Sequence, residues 1–467
     1  MTSHEALAQI WAGLGLGDDM LKAALLTGAD PCLPSSFAVG AAATASIAAS
    51  GLAAAALWRL RTGRLQRVGV DIRHACAEFR SEQYLMIDGE IAYAERDRIA
   101  GLYPTADGWV RLHTNFPHHR DGVLCLLGCD ATREAVGAAL RRWRSVEFET
   151  AAAKAGLAVT ALRSFSEWDV HPQGVAVATL PLIAITRIGD APVQRLPDAS
   201  RPLGGVRVLE LTRVIAGPVA GRTLAAHGAE VLNLTGPHLP FYRIEDLGRG
   251  KLSAQLDLRA NDGRRALEML LAGADVFMQG YRPGAIAGHG FTPEHSARLR
   301  PGIVHASLSA FGSAGPWAGR RGFDSLVQTA SGFNVAEAQA AKQTKPRPLP
   351  AQALDHASGY LLAVGVMTAL HRRATIGGSW HVEVSLARTG HWIRRLGRVN
   401  DGFDVSDQTA GSIADLFEDS ASGFGAMRAV RHAAMLSETP ARWDRPSVKL
   451  GTHMARWPDI PDRMWPE

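Results

Sequence analysis

The chain has 467 residues, with hydrophobic residues at 46%, charged residues at 20% and a formal net charge of +5. That length provides for roughly two to four domains, and the composition is that of an ordinary globular protein with enough apolar residues for a large core. Both charge signs are spread along the chain, which speaks against a nucleic-acid arm, and four cysteines in a chain of this size do not make a disulfide framework.

The N-terminus carries acidic residues early and lacks a signal-peptide layout. From Pro31 to Trp58 there is no charge, but the stretch is built largely of Ala, Gly and Ser. Such residues gain little on transfer to lipid, so residues 38–58 are predicted as a buried helix rather than a membrane span. A cytoplasmic protein without a membrane partner is expected. A strand is predicted over residues 68–72, a helix over 73–82, a strand over 109–113, and helices over 133–144 and 147–156. This is an α+β segment. Cys125 and Cys129 lie near His118 and His119, but the run VLCLLGC is apolar and no second pair stands at ligand spacing. Buried thiols and no metal site are expected. Residues 197–205 read as a linker.

Beyond the linker the rhythm changes. Val206 to Leu211 reads as a short parallel strand. A loop Arg213-Val214-Ile215-Ala216-Gly217-Pro218 follows, then a helix with Val219, Ala220, Leu224 and Ala225 to pack, then a strand over 230–234. The alternation continues with a helix over 266–271, a strand over 275–278, a helix over 292–299 and a strand over 303–308. The expected fold is therefore α/β, a doubly wound, mostly parallel, Rossmann-like sheet accompanied by a smaller α+β domain. Ligands of such sheets sit beyond the carboxyl ends of the strands, which puts the loops from Thr212, Gly280 and Ser309 on one rim. An internal echo is also visible. Residues 53–59, 62–64 and 68–72 read helix, basic end, glycine turn, strand, and residues 366–372, 376–378 and 382–386 repeat that order.

The runs GGVRVLELTRVIAGPVAGRTLAAHGAEVLNL, GHGFTPEHSARLRPGIVHASLSAFGSAGPWAGRRGFDSLVQTASG and PLPAQALDHASGYLLAVGVMTALHRR resemble the class III coenzyme A (CoA) transferases. That family includes formyl-CoA transferase, carnitine CoA transferase and alpha-methylacyl-CoA racemase. The resemblance covers residues 203 to about 390 almost without a break. It implies a Rossmann-like CoA-transferase domain over 197–400, a small α+β domain over 91–196, and a helical segment and strand over 1–90 like the second part of the family's large domain. Residues 401–467 resemble the family's C-terminal tail. The usual order would place the small domain after the sheet, so the chain reads as a truncated tandem or permuted form.

The same resemblance implies transfer of CoA from an acyl-CoA to a carboxylic acid, with acyl-CoA as substrate and no permanently bound cofactor. Isomerase or lyase chemistry on an acyl-CoA, or a non-catalytic relative, are the alternatives. It also implies a homodimer, with chains interlocked. Asp355 falls on the family's nucleophilic aspartate; read from the residues alone, it is rather the N-cap of a helix from Ala357. As nucleophile it would form an anhydride and then a CoA thioester, kept ionised by the helix dipole. The corresponding position of the first copy is Ala42. Phe323 replaces the histidine that the family's racemases use, which disfavours two-base racemisation. Asp324 is expected to brace the fold, with His356 as a neighbour of Asp355. Positions matching the family's CoA contacts are Ile215, Ala216, Leu256, Arg259, Gly280, Tyr281, Arg282, Ser309, Phe311 and Gly312. Two arginines usual in the family are missing, at or near Gly236 and at Gly288, with Arg249, Lys251 and Arg282 as compensating charges.

Overall fold

The computed structural model describes residues 1–92, 97–239 and 244–458; the end of the 401–467 tail, from residue 459, lies outside the described residues. Two helices of 24 residues, Val39–Thr62 and Ala353–Ile376, share one core. Both are long and apolar enough to cross a membrane by length and composition, yet their most apolar windows are 100% buried inside the protein. Their wealth of Ala and Gly has a packing reason. A Cβ on Gly359 would come within 2.5 Å of the Ala216 carbonyl oxygen, so only glycine permits the helix Ala216–Ala226 to cross there.

In chain order the strands are β1 (Ala24–Thr27), β2 (Val68–Asp71), β3 (Met86–Ile87), β4 (Glu90–Ile91), β5 (Gly101–Pro104), β6 (Trp109–Leu112) and β7 (Val159–Ala161). Then come β8 (Ala184–Gly189), β9 (Arg207–Leu211), β10 (Glu230–Thr235), β11 (Lys251–Gln255), β12 (Val276–Gln279) and β13 (Val304–Ser309). The last are β14 (Ser379–Ser385), β15 (Phe417–Ser422), β16 (Gly425–Val430) and β17 (Met435–Leu436). The main sheet has the order β11-β10-β9-β12-β13-β14-β8. All its pairings are parallel except that of β8 with β14. The chain therefore winds outward from β9 in both directions, and the crevice between the carboxyl ends of β9 and β12 is the topological switch point. β5, β6 and β7 form the antiparallel sheet of the small domain, which has its own core around Val110, Val136 and Phe148.

Three features depart from the sequence reading. Strands β8 and β11 carry too few apolar residues to be predicted; β11 is admitted because Lys251 is buried against Glu210 at 2.8 Å. The helix expected over 73–82 breaks into Ile72–Glu78 and Ser81–Tyr84, the first capped by Asp71, whose carboxylate accepts from the Arg73 and His74 amides. Of the expected buried thiols, Cys76 is buried, but Cys125 is exposed and Cys129 half-buried. These last two sit on and just after a surface helix, Pro117–Leu127, whose apolar residues serve the small domain on one side only.

The internal echo is a duplicated half-fold. Strands β1-β2-β17 form a sheet with the same order and directions as β13-β14-β8. The two long helices match from first residue to last, and Gly51 and Gly365 hold the same place in them. A Cβ on Gly51 would meet Val68 at 2.6 Å, and one on Gly365 would meet Val382 at 2.5 Å, the same contact in each copy. This register corrects the alignment read from sequence: Asp355 corresponds to Ala41, one residue before Ala42. The two copies also exchange segments. From β2 the chain passes through the small domain and ends in β8, on the edge of the main sheet. From β14 it passes through the β15–β16 hairpin, which pairs with β3, and ends in β17 on β2. Hence the segment 91–196, through β8, and the described part of the tail, through β17, each complete the sheet of the other copy.

Candidate active site

Asp355 lies in the first turn of the helix Ala353–Ile376 and is not its cap, which corrects the N-cap reading. The capping is done by Asp324, whose Oδ2 accepts the backbone N–H of Leu354 at 2.8 Å and of Asp355 at 3.0 Å. Its Oδ1 accepts from the Gln328 amide. The first copy preserves the device: Asp30 accepts from the Gly40 and Ala41 amides at 3.1 and 2.8 Å. There, however, a methyl group stands where Asp355 has its carboxylate.

Asp355 is 7% exposed, and its carboxylate oxygens accept no hydrogen bond among the described residues. Burial, then the neighbouring carboxylates of Asp324 and Glu82, push its pKa well above the usual range. Burial likewise lifts Asp324 to about 6, against the opposing pull of the two amides and Gln328. Against the expectation that the helix dipole keeps Asp355 ionised stand burial and two neighbouring carboxylates, which raise its pKa. A half-charge at a helix end is outweighed by desolvation plus two like charges. Glu82 arrives from the first copy and bonds His356 Nε2 at 3.0 Å, with the Phe79 ring stacked on that imidazole. His356 is therefore held in place by Glu82 rather than directed at Asp355.

The Asp355 carboxylate opens into a cavity of about 270 Å³ at the switch point. One wall is the loop after β9, including Ile215 and Ala216; another is the loop after β12, with Gly280, Tyr281 and Arg282. Val214 in the first of these loops has φ 76°, a left-handed conformation that a β-branched residue adopts only under constraint. Gly217 is required there, because a Cβ would come within 2.4 Å of Thr212. Ser309 lines this cavity and an adjoining one of about 190 Å³, and Gly312 lines only the latter. Leu256 and Arg259 line a third cavity, of about 240 Å³, that shares the Tyr281 wall. Phe311 lines none of the three: it is buried against Trp317, and its carbonyl accepts from Gln173. Of the compensating charges, Arg282 faces the main cavity. Arg249 and Lys251 do not, since Arg249 is buried against Asp246 and Glu418, and Lys251 against Glu210.

Several lining residues were not read as site residues from the sequence: Arg213, Arg321, His118, His119 and Phe323. The histidines belong to the small domain and had been weighed only as metal ligands beside Cys125. The signal that would have found them is the pairing of β8 with β14, which anchors the small domain over this rim, and that pairing joins residues far apart in sequence. Phe323 stacks on His113 with ring centroids 3.7 Å apart, closing the cavity on the small-domain side. The Arg213 guanidinium lies over the rings of Phe116 and Tyr281 at 4.7 and 5.5 Å.

Residues 203–395 match the sequence model of CoA-transferase family III. An "Acyl-CoA transferase" of Gibberella moniliformis is 32% identical over 317 residues, 62% of this chain and 55% of the relative. A Mycobacterium tuberculosis protein named "Probable fatty acyl-CoA transferase" is 32% identical over 205 residues, 40% of this chain and 51% of the relative. A crystal structure of an M. tuberculosis protein aligns at 30% identity and TM-score 0.36, over 42% of this chain and 58% of that one. The chain spans about half the length of the curated relatives it matches.

Proposed function

We propose that the chain is an enzyme that transfers CoA from an acyl-CoA to a carboxylic acid, with Asp355 as covalent nucleophile. One observation carries this reading: a buried carboxylate that accepts no hydrogen bond among the described residues opens into a cation-lined cavity at the switch point of the sheet. The match of residues 203–395 to the family model, and relatives named as CoA-transferases, support it. Ile215, Ala216, Gly280, Tyr281 and Arg282 are the proposed contacts of the CoA arm near the thioester. Leu256 and Arg259 would serve its far end along the shared Tyr281 wall.

The sequence of steps balances without a further reactant. An Asp355 carboxylate oxygen attacks the acyl carbon, CoA leaves as thiolate, and an acyl-aspartyl anhydride remains. The thiolate then attacks the aspartyl carbonyl, releasing the first carboxylate and leaving an aspartyl-CoA thioester. The incoming carboxylate attacks that thioester carbonyl, and the expelled thiolate takes the new acyl group, which regenerates Asp355. Destabilising the ionised carboxylate by burial and like charge makes it more basic, and so a stronger nucleophile once ionised. Phe323 cannot carry a proton, so the cavity offers no second base at that position for racemisation. The test is incubation with a panel of acyl-CoA donors and carboxylate acceptors, with hydroxylamine trapping and mass spectrometry. Transfer together with an adduct at Asp355 supports the reading; no transfer with any pair and no adduct would overturn it.

A further inference from the structure

We infer that Cys32 and Cys76 form a redox-active dithiol, a modification site that hydrogen peroxide closes to a disulfide. The pair belongs to the first half-fold and neither residue lines the Asp355 cavity, so the inference stands apart from the transferase reading. Its geometry follows from how the loop before the helix Val39–Thr62 lies on the helix Ile72–Glu78. Ile72 is the point of contact. A Cβ on Gly28 would come within 2.2 Å of its Cγ2, and one on Gly40 within 2.8 Å of its Cδ1, so both ends of the loop are pressed onto that side chain. Between them the Cys32 Sγ reaches the Ile72 carbonyl oxygen at 3.8 Å. Cys76 follows Ile72 by one helical turn, and a helical side chain leans back over the turn before it. That brings its sulfur toward the same carbonyl, and the two thiols hydrogen-bond to each other.

The two sulfurs are unlike, as a nucleophilic and a resolving thiol must be. Cys32 is half-buried beside the exposed Pro31, so a small oxidant reaches it, whereas Cys76 is fully buried. Cys32 also accepts from the Gln408 side-chain amide at 3.7 Å, and that amide is held by the Arg73 carbonyl at 3.0 Å. The bond from Cys76, aided by the Arg73 charge, draws the Cys32 thiol below its ordinary value against burial and the carboxylates of Asp30 and Asp71. The same bond, with burial, pushes the Cys76 thiol up. In the oxidation the Cys32 thiolate attacks one peroxide oxygen and the O–O bond breaks. Cys32 becomes a sulfenic acid, and the departing hydroxide takes up the proton that Cys32 released, giving water. The Cys76 sulfur then attacks the sulfenic sulfur; the S–S bond forms, the S–O bond breaks, and the hydroxyl leaves with the Cys76 proton as a second water. The dithiol has lost two electrons and the peroxide has gained them. Cys125 and Cys129 provide the contrast: they lie on the small domain, and burial and the Asp130 carboxylate push the Cys129 thiol up.

The experiment uses the full chain, reduced and then freed of reductant, with hydrogen peroxide as the oxidant. Free thiols are counted in denaturant, and the alkylated peptides are mapped by mass spectrometry. The count should fall from four to two, with the peptides of Cys32 and Cys76 joined, and dithiothreitol should restore all four. Cys76→Ala should halt the reaction at a Cys32 sulfenic acid, which dimedone traps. Cys32→Ser should slow the loss of the Cys76 thiol by about 100-fold, because the accessible nucleophile is gone. The double variant Cys125→Ser/Cys129→Ser should form the disulfide as the wild type does. If Cys76→Ala does not fold, the wild-type peptide map and Cys32→Ser decide between the outcomes. The inference falls if the count stays at four, or if peroxide consumes Cys125 and Cys129 and leaves Cys32 and Cys76 unjoined. It falls equally if Cys32 of the wild type accumulates as the dimedone adduct while Cys76 remains a free thiol.

Discussion

At the scale of single residues, the carboxylate of Asp355 has a proposed role as nucleophile and, separable from it, a cost to the fold. Asp355→Asn keeps the backbone N–H that Asp324 accepts and removes the proposed nucleophile. Acyl transfer should be abolished, and hydroxylamine should no longer label the protein. Stability should move the other way. An aspartate in the unfolded chain titrates near about 3.9. In the folded chain burial and two carboxylates raise that value, so the fold holds a proton that the unfolded chain has lost. Stability contributed at low pH is therefore lost as pH rises through the folded pKa. Asparagine carries no such penalty. The variant should melt above the parent at neutral pH, with the gap closing below about pH 4, as differential scanning calorimetry across pH would show.

Glu82 provides a second test at this scale. It lies in the short helix Ser81–Tyr84, bonded to His356, and its charge is one of the two that raise Asp355. Glu82→Gln should shift the acid limb of the kcat/KM profile to lower pH, because the ionised nucleophile then forms more readily. A purely structural role would reduce activity evenly and leave the limb where it is.

Among the elements, the long helices are held at fixed distance from their strands by glycine. Gly365→Ala drives a Cβ to 2.5 Å from the Val382 side chain, and the overpacking should cost about 1–3 kcal/mol in urea unfolding. The connection between the copies is electrostatic as well. Arg222 is buried against Asp246 at 2.8 Å, with Ser81 of the first copy bonded to the same carboxylate at 2.6 Å. Asp246→Ala leaves Arg222 and Arg249 buried without this partner, and a loss of about 3–5 kcal/mol is expected. The vestigial copy can be probed at its proper position. Ala41→Asp would place a carboxylate beside Asp30 in a half-fold that lacks counterparts of β9 to β12. It should destabilise the chain and leave turnover per chain no higher than before; a doubled turnover would show that the first copy can form a site of its own.

For the molecule as a whole, the described residues lining the Asp355 cavity include the loops of the main sheet and His118 and His119 of the small domain of the same chain. The homodimer implied by the resemblance is a separate proposal, and light scattering measures it directly. Specific activity should stay constant on dilution through any dimer–monomer transition. A loss of activity that tracked dissociation would mean that a second chain completes the site.

Much of this was legible in the residues themselves. The strands β9, β10, β12 and β13 announce themselves through aliphatic runs bounded by turns, because a strand covered on both faces needs apolar side chains throughout. The motif around Asp355 and the loops after β9 and β12 are local in sequence, so their placement on one rim followed from the doubly wound order. Local sequence also carried the buried fate of residues 38–58, since a run of small uncharged residues has no other good environment in a globular chain. What it could not carry were the relations between distant segments. The upward shift of the Asp355 pKa depends on burial and on Asp324 and Glu82, the latter 273 positions away in the chain. The turning of His118 and His119 toward Arg321 depends on a small domain anchored through β8. The choice of Ala41 over Ala42 depends on the packing of Gly51 and Gly365 against their strands. Hydrophobic pattern and turn chemistry act within a few residues and are written in sequence. Desolvation and Coulomb interaction act through space, and only the folded chain determines which charges share it.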